Sequence, residues 1–255
     1  MKRLLTIFGI FLLSFFVNAQ NQEKILSINN SLIDYNNQAI MFDAFAASAG
    51  KNANWSMQTR LGMTLQFHYD EGDAEGNAKA VVKNNPWTHI VLQEQSSRPR
   101  IEYEAFDKGV KAWVKYIRKE TDNKKARIIL AENWAYVDSE NYEKDRRTLL
   151  ENYAKVAKKY KVSLCPIGEA YALIYASEGE AAKNELYTDN RHPSVKATYL
   201  AVCCEYCIIY NESPIGVMWH PEGICDKEAL HMQEIAWNTY QNLLKDKKIA
   251  KLLKK

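Results

Sequence analysis

Short β-branched runs alternate with longer stretches of helical spacing along this chain. Lys24-Ile-Leu-Ser-Ile28 is the first strand pattern. Gln38 to Ala49 reads as a helix that stops at Gly50, a favoured residue just past a helix end. His89-Ile-Val-Leu92 is the next strand, after which Phe106, Val110, Trp113, Val114 and Ile117 recur at helical spacing and mark one apolar face. Arg127-Ile-Ile-Leu130 repeats the strand signal, and Leu149, Leu150, Tyr153, Val156, Ala157 and Tyr160 outline another helix. Val162-Ser-Leu-Cys165 is a further strand before Pro166. Helices from about Ser194 to Tyr210 and from Asp226 to Leu244 complete the pattern, with no internal repeat, linker or low-complexity stretch.

Strands alternating with helices over the whole length predict an α/β fold: a central, mostly parallel sheet covered on both faces by helices. In such sheets the carboxyl ends of the strands carry the ligand site. Candidate chemistry is therefore sought in the segments that follow strands.

The first twenty residues stand apart from this pattern. Lys2 and Arg3 precede the apolar stretch Leu4 to Val17, and Val17-Asn18-Ala19 follows with small residues at the recognition positions, the order of a secretory signal peptide cleaved after Ala19. Fourteen residues at about 1.5 Å each span roughly 21 Å, short of the ~30 Å needed to cross a bilayer. The expectation is a periplasmic or secreted protein, with no stable membrane insertion after leader removal and one domain over residues 20–255.

Composition narrows the partners. The chain has 255 residues, 47% hydrophobic and 25% charged, a globular rather than disordered or fibrous balance. Losing Lys2 and Arg3 lowers the formal charge from +3 to +1, so nucleic-acid binding has no electrostatic footprint. Six lysines lie in the eleven residues Lys245 to Lys255, a segment expected to be a solvated helix end or frayed tail. Of the five cysteines, Cys203, Cys204 and Cys207 sit in an apolar helical stretch without a second ligand pair, which predicts buried thiols rather than a metal site. No cofactor or metal is expected.

Two segments carry candidate chemistry. Ser31 follows the first strand in Ile28-Asn-Asn-Ser-Leu32, where its hydroxyl either faces a cleft or, with Asn30, caps a helix or turn. Near the other end stands Asp189-Asn-Arg-His-Pro-Ser194. A carboxylate three residues before an imidazole can accept the Nδ1 proton and leave Nε2 facing a nucleophile; the same hexapeptide also suits a plain turn before a helix. Pro193 is expected at the first position of that helix.

A serine after the first strand and D-x-x-H-P before the last helical region resemble the SGNH (GDSL-like) hydrolase superfamily, over nearly the whole mature chain. The similarity is closer to an exported branch in Gram-negative bacteria, in Ser31-Leu-Ile-Asp-Tyr-Asn36, Gly62-Met-Thr-Leu-Gln-Phe-His68 and Val91-Leu-Gln-Glu-Gln-Ser-Ser-Arg-Pro99. The resemblance implies a flavodoxin-like three-layer α/β/α sandwich that hydrolyses acyl esters, plausibly acetyl groups on glycans. It assigns Ser31 as nucleophile, His192 as general base and then acid, and Asp189 as the residue that orients it. It further assigns an oxyanion hole from the backbone N–H groups of Ser31 and Gly62 and a side-chain amide after Leu92. Most of the superfamily has G-x-N-D there; this chain has Gln93-Glu94-Gln95-Ser96, which aligns Gln95 with the usual Asn. Asn29 likewise stands where the superfamily carries a glycine, a position that would favour glycine if its φ were positive.

Three readings stay open: a glycan-directed esterase, a catalytically weak SGNH-fold glycan-binding module suggested by Asn29 and Gln95, and a lipase or thioesterase for longer acyl chains. His68 is either a cleft residue or a packed histidine, and Glu94 a pocket carboxylate or an edge charge. Trp134, with Trp55, Trp87 and Trp219, offers either a sugar-stacking face or core packing.

Overall fold

The structure, a computed structural model, describes residues 22–83 and 85–254; the expected leader, 1–19, lies outside them. Its strands are β1 (Glu23–Asn29), β2 (Ala53–Thr59), β3 (His89–Leu92), β4 (Arg127–Ala131) and β5 (Ser163–Cys165). The first six helices are α1 (Ser31–Asp34), α2 (Gln38–Ser48), α3 (Leu65–Asp70), α4 (Ala78–Lys83), α5 (Arg98–Ile101) and α6 (Tyr103–Glu120). The remainder are α7 (Tyr142–Tyr160), α8 (Ile167–Glu178), α9 (Glu180–Asn184), α10 (Val195–Tyr210), α11 (Asp226–Lys245) and α12 (Ala250–Leu253).

The five strands form one parallel sheet in the order β2-β1-β3-β4-β5. Helices α2, α10 and α11 pack together as one layer, and α3, α4, α6 and α7 as the other; α8 touches α7 from one and α10 and α11 from the other. This is the three-layer α/β/α sandwich expected from the alternating pattern. Central strands with helices on both faces have no polar side, which is why β3 is buried along its whole length and reads as an unbroken apolar run.

Besides several short helices, strand β2 and helix α8 were not foreseen. Strand β2, Ala-Asn-Trp-Ser-Met-Gln-Thr, pairs with β1 alone at the sheet edge, so most of its side chains stay half-exposed and polar. Helix α8 is apolar on most sides and buries six residues, leaving no amphipathic stripe to detect. The lysine-rich carboxyl terminus also differs from a frayed tail: Leu252 and Leu253 are buried, and α12 packs on β5 and α7. Pro193 precedes the N-cap Ser194 rather than opening α10, whose first residue is Val195.

Cys165, Cys203, Cys204 and Cys207 are buried free thiols in the helical layer and sheet, and Cys225 is exposed. Burial pushes the thiols of Cys165, Cys203 and Cys204 well above the ordinary cysteine range, which keeps them protonated and unreactive.

The strand order reverses direction between β1 and β3. At such a switch point the connections leaving adjacent strands run to opposite faces and open a crevice beyond the carboxyl ends. Ser31 lies two residues past the end of β1, and Gln93 immediately follows β3.

Candidate active site

Asn30 is extended, and its Oδ1 accepts the Leu32 N–H at 3.1 Å, capping α1 so that Ser31 becomes its first residue. The capping role weighed for this segment thus falls to Asn30. The hydroxyl of Ser31 lies 2.9 Å from Nε2 of His192, which is 161 residues away in sequence.

The His192 turn is built locally. Asp189 Oδ1 accepts the backbone N–H groups of Arg191 and His192, each at 2.8 Å, which closes an Asx-type turn. That leaves Oδ2 to pair with His192 Nδ1 at 2.8 Å. The two backbone donors and the imidazole pull the Asp189 carboxyl down to about 2, so it stays ionised at any physiological pH. Further bonds brace the turn: Trp134 Nε1 donates to the Arg191 carbonyl at 2.8 Å, and Thr188 N–H to the His192 carbonyl at 2.9 Å.

Asn36 brings the two segments together. Its Nδ2 donates to the Pro193 carbonyl and to Thr198 Oγ1, both at 2.9 Å, bolting the chain just after the serine to the chain just after the histidine. Tyr35 adds a stacked contact on the imidazole, with ring centroids 4.8 Å apart and planes 19° from parallel. Sequence reasoning missed both residues. They lie inside the Ser31–Asn36 motif, but nothing in its spacing reveals a partner more than 150 residues downstream.

The loop carrying Gly62 is held against the serine turn, since Arg60 N–H donates to the Asn29 carbonyl and Asn30 Nδ2 to the Met63 carbonyl, each at 3.1 Å. Gly62 has φ 71°, a left-handed conformation that favours glycine. Neither its N–H nor that of Ser31 has an acceptor among the described residues. Gln95 turns its Oε1 onto the N–H groups of Ser97 and Arg98 and the Ser97 hydroxyl, at 3.0 to 3.1 Å, while its Nε2 reaches Ser96 Oγ at 3.3 Å. It makes no contact with Ser31.

Three further candidates occupy different places from those a cleft role would need. His68, Glu94 and Trp134 are 2%, 0% and 4% exposed, so none presents a surface to a substrate. Nε2 of His68 bonds the Asn29 carbonyl at 2.9 Å, and burial lowers its pKa below the ordinary histidine value, which favours the neutral ring. Glu94 Oε1 accepts the N–H groups of Leu65 and Gln95 at 3.2 and 2.8 Å, and burial pushes the acid up to about 7. Trp134 backs the histidine turn and stacks on Tyr171. Trp55 and Trp87 are buried as well, and Trp219 is half-buried. Asn29 does not have a positive φ; it ends β1 in extended conformation, so no glycine is needed there.

The pair itself is open to solvent, with the side chains of Asp189 and His192 53% and 22% exposed. A polar cleft of about 350 Å³, lined by Arg100, Tyr136, Ser139, Glu140, Asn141, Lys144 and Asp145, contains none of Ser31, His192 and Asp189. Tyr136 bonds Ser96 Oγ at 2.6 Å and carries the Arg191 guanidinium 5.0 Å above its ring.

No family model matches the chain, and no curated protein matches it by sequence. Solved structures do match by shape. A DUF4886 family protein from Bacteroides uniformis superposes with a TM-score of 0.76 at 18% identity, covering 91% of this chain and 100% of that one. A protein assigned to the SGNH hydrolases from Slackia heliotrinireducens gives 0.59 at 21% identity, covering 72% and 97%. An acetylxylan esterase from Geobacillus stearothermophilus gives 0.55 at 13% identity, covering 72% and 92%. The architecture is that of the SGNH hydrolases.

Proposed function

We propose, from this SGNH-hydrolase fold and the hydrogen-bonded chain Asp189–His192–Ser31, that the protein is a serine ester hydrolase. The observation that carries the reading is the 2.9 Å approach of Ser31 Oγ to His192 Nε2, with Asp189 2.8 Å from the opposite ring nitrogen. In the first half-reaction the hydroxyl attacks the acyl carbonyl and its proton passes to Nε2. The Asp189 carboxylate holds Nδ1–H and stabilises the imidazolium. Collapse of the tetrahedral adduct expels the alcohol, which takes the proton from Nε2. Water then repeats the sequence on the acyl-enzyme and releases the acid.

The developing negative charge needs donors already in place. The free N–H groups of Ser31 and Gly62 supply two, and the Gln95 amide is the proposed third once its Nε2 turns from Ser96 Oγ to the bound substrate. The preferred substrate is a small acyl ester, acetyl above all, on a glycan outside the cytoplasm. Support comes from the solvent-open triad, the leader-like first nineteen residues and the acetylxylan esterase among the fold neighbours.

One observation favours longer chains instead. Leu61 and Met63 flank Gly62 and are 64% and 41% exposed, an apolar rim beside the oxyanion loop that suits a fatty acyl group. Purified protein should release p-nitrophenol from its acetate ester, and Ser31→Ala should lower the rate by roughly 10⁴ or more. Equal rates for the two proteins, with no labelling of Ser31 by a fluorophosphonate, would end the hydrolase reading. Octanoate cleaved faster than acetate would replace the acetyl assignment with the fatty acyl one.

A further inference from the structure

Beneath the nucleophile turn lies a group of buried side-chain amides that the triad chemistry does not use. Asn29 and Gln93 stand at the two positions where the resembled superfamily has glycine, at the carboxyl ends of the adjacent strands β1 and β3. Both are buried, as are Asn30 and Asn133. Gln93 Oε1 accepts the Asn30 N–H at 3.1 Å. Its Nε2 donates to the Glu94 carbonyl and, at 3.0 Å, to Asn133 Oδ1. Asn133 Nδ2 in turn donates to the carbonyls of Glu94 and Gln95 at 3.0 and 3.1 Å, so the relay spans the switch point and ends at β4.

Asn29 works from the other side. Its Nδ2 donates to the Asn30 carbonyl and to Thr59 Oγ1, both at 3.0 Å, and its Oδ1 accepts the Ser27 hydroxyl at 2.9 Å. Ser27 is held in that role by Trp55, whose Nε1 donates to its Oγ at 3.0 Å. The residue before the nucleophile is therefore gripped at both backbone polar groups, its N–H by Gln93 and its C=O by Asn29.

Peptide planarity turns this grip into aim. In a trans peptide the carbonyl and the following N–H point in opposite directions, and no cis bond occurs among the described residues. Asn29 thus reinforces the aim that the Asp34 N–H, donating to the same Asn30 carbonyl at 3.2 Å, gives that peptide, and the Ser31 N–H points the other way, where no acceptor lies among the described residues. We propose that Asn29 and Gln93 are positioning residues that together orient the Asn30–Ser31 peptide, aiming the Ser31 N–H and hydroxyl at the carbonyl of a bound ester. This rests on the Ser31–His192–Asp189 reading and deepens it: Asn29, taken with Gln95 as a sign of a weak site, is with Gln93 part of a built clamp.

The clamp acts on the tetrahedral state, so its loss falls on kcat and spares KM. Asn29→Asp keeps the acceptor for Ser27 but removes the Nδ2 donor. Gln93→Met keeps the volume and removes all three of its side-chain bonds. With p-nitrophenyl acetate each variant should lose roughly 10- to 100-fold in kcat with KM within about threefold, as a displaced oxyanion donor does. Affinity for a boronic acid that forms a tetrahedral adduct on Ser31 should fall by the same factor. The two losses should combine to less than their product, because both side chains hold one residue.

Wild-type kcat and boronate affinity in folded variants would overturn the clamp, as would losses that appear in KM alone. Should either variant fail to fold, Asn29→Gly and Gln93→Leu carry the same expectation. A wild-type protein that neither turns over ester nor labels at Ser31 would instead sink the triad reading. An active wild type with equally active variants sinks only the clamp.

Discussion

Asp189 and Glu94 are two carboxylates held in the same way and driven to opposite ends of the pH scale. Each offers one oxygen to two backbone N–H groups: Asp189 to Arg191 and His192, Glu94 to Leu65 and Gln95. Asp189 stands at the open rim, its second oxygen pairs with an imidazole, and its carboxyl sits at about 2. Glu94 lies fully buried behind the β3 end, its second oxygen has no hydrogen-bond partner among the described residues, and desolvation lifts it to about 7. At both carboxylates the backbone bonds favour the charged form; desolvation outweighs them at buried Glu94 and is outweighed at Asp189 on the open rim. The rim carboxylate is thereby kept charged beside His192, while the buried one is a structural anchor that gives up its charge near neutrality.

The largest test of this contrast is on activity. Asp189→Asn keeps an acceptor for the turn but loses the charge opposite His192, so kcat for an acetyl ester should drop by roughly 10²–10⁴ while the thermal midpoint changes little. A variant with undiminished turnover would remove Asp189 from the catalytic chain.

Next in size is stability against pH. Glu94 binds its proton more tightly in the folded than in the unfolded chain, because its carboxyl moves from the ordinary 4.5 to about 7. Its contribution is therefore most favourable in acid, declines as pH rises from about 4.5 to about 7, and is flat above that. The whole decline amounts to up to about 3 kcal/mol. Glu94→Gln, which keeps the acceptor and cannot ionise, should gain on wild type as pH rises from 5 to 8 in thermal melts. A difference independent of pH would contradict the buried-acid assignment.

The smallest effect is expected at the outer edge of the rim. Asn190 Nδ2 reaches Asp138 Oδ2 at 2.6 Å on the exposed surface, outside the proton path. Asn190→Ala should leave kcat within about twofold and stability within about 0.5 kcal/mol. A loss approaching that of Asp189→Asn would mean that the whole loop, rather than its carboxylate, sets the geometry.

Legibility in the sequence followed the range of the interactions concerned. The apolar runs of β1, β3, β4 and β5 marked the sheet because buried parallel strands lack a polar face, whereas β2, an edge strand of mixed polarity, left no such trace. In the D-x-x-H spacing, the carboxylate and imidazole of one tight turn could be read together. The burial of His68, Glu94 and Trp134 could not, since each is covered by segments distant in sequence. Asn29 read only as a missing glycine, and Gln93 carried no signal of its own, because their partners, Asn30 and Asn133, meet them only across the switch point.

What the chain settles on its own is therefore local: side-chain periodicity, helix stops, and the Asp189–His192 turn, all governed by backbone sterics and neighbours a few residues apart. The tertiary structure alone decided that Ser31 meets His192 across 161 residues and that Glu94 loses its water while Asp189 keeps it. Contact and desolvation at that range are properties of the packed whole, because they depend on which distant surfaces exclude solvent from a given atom.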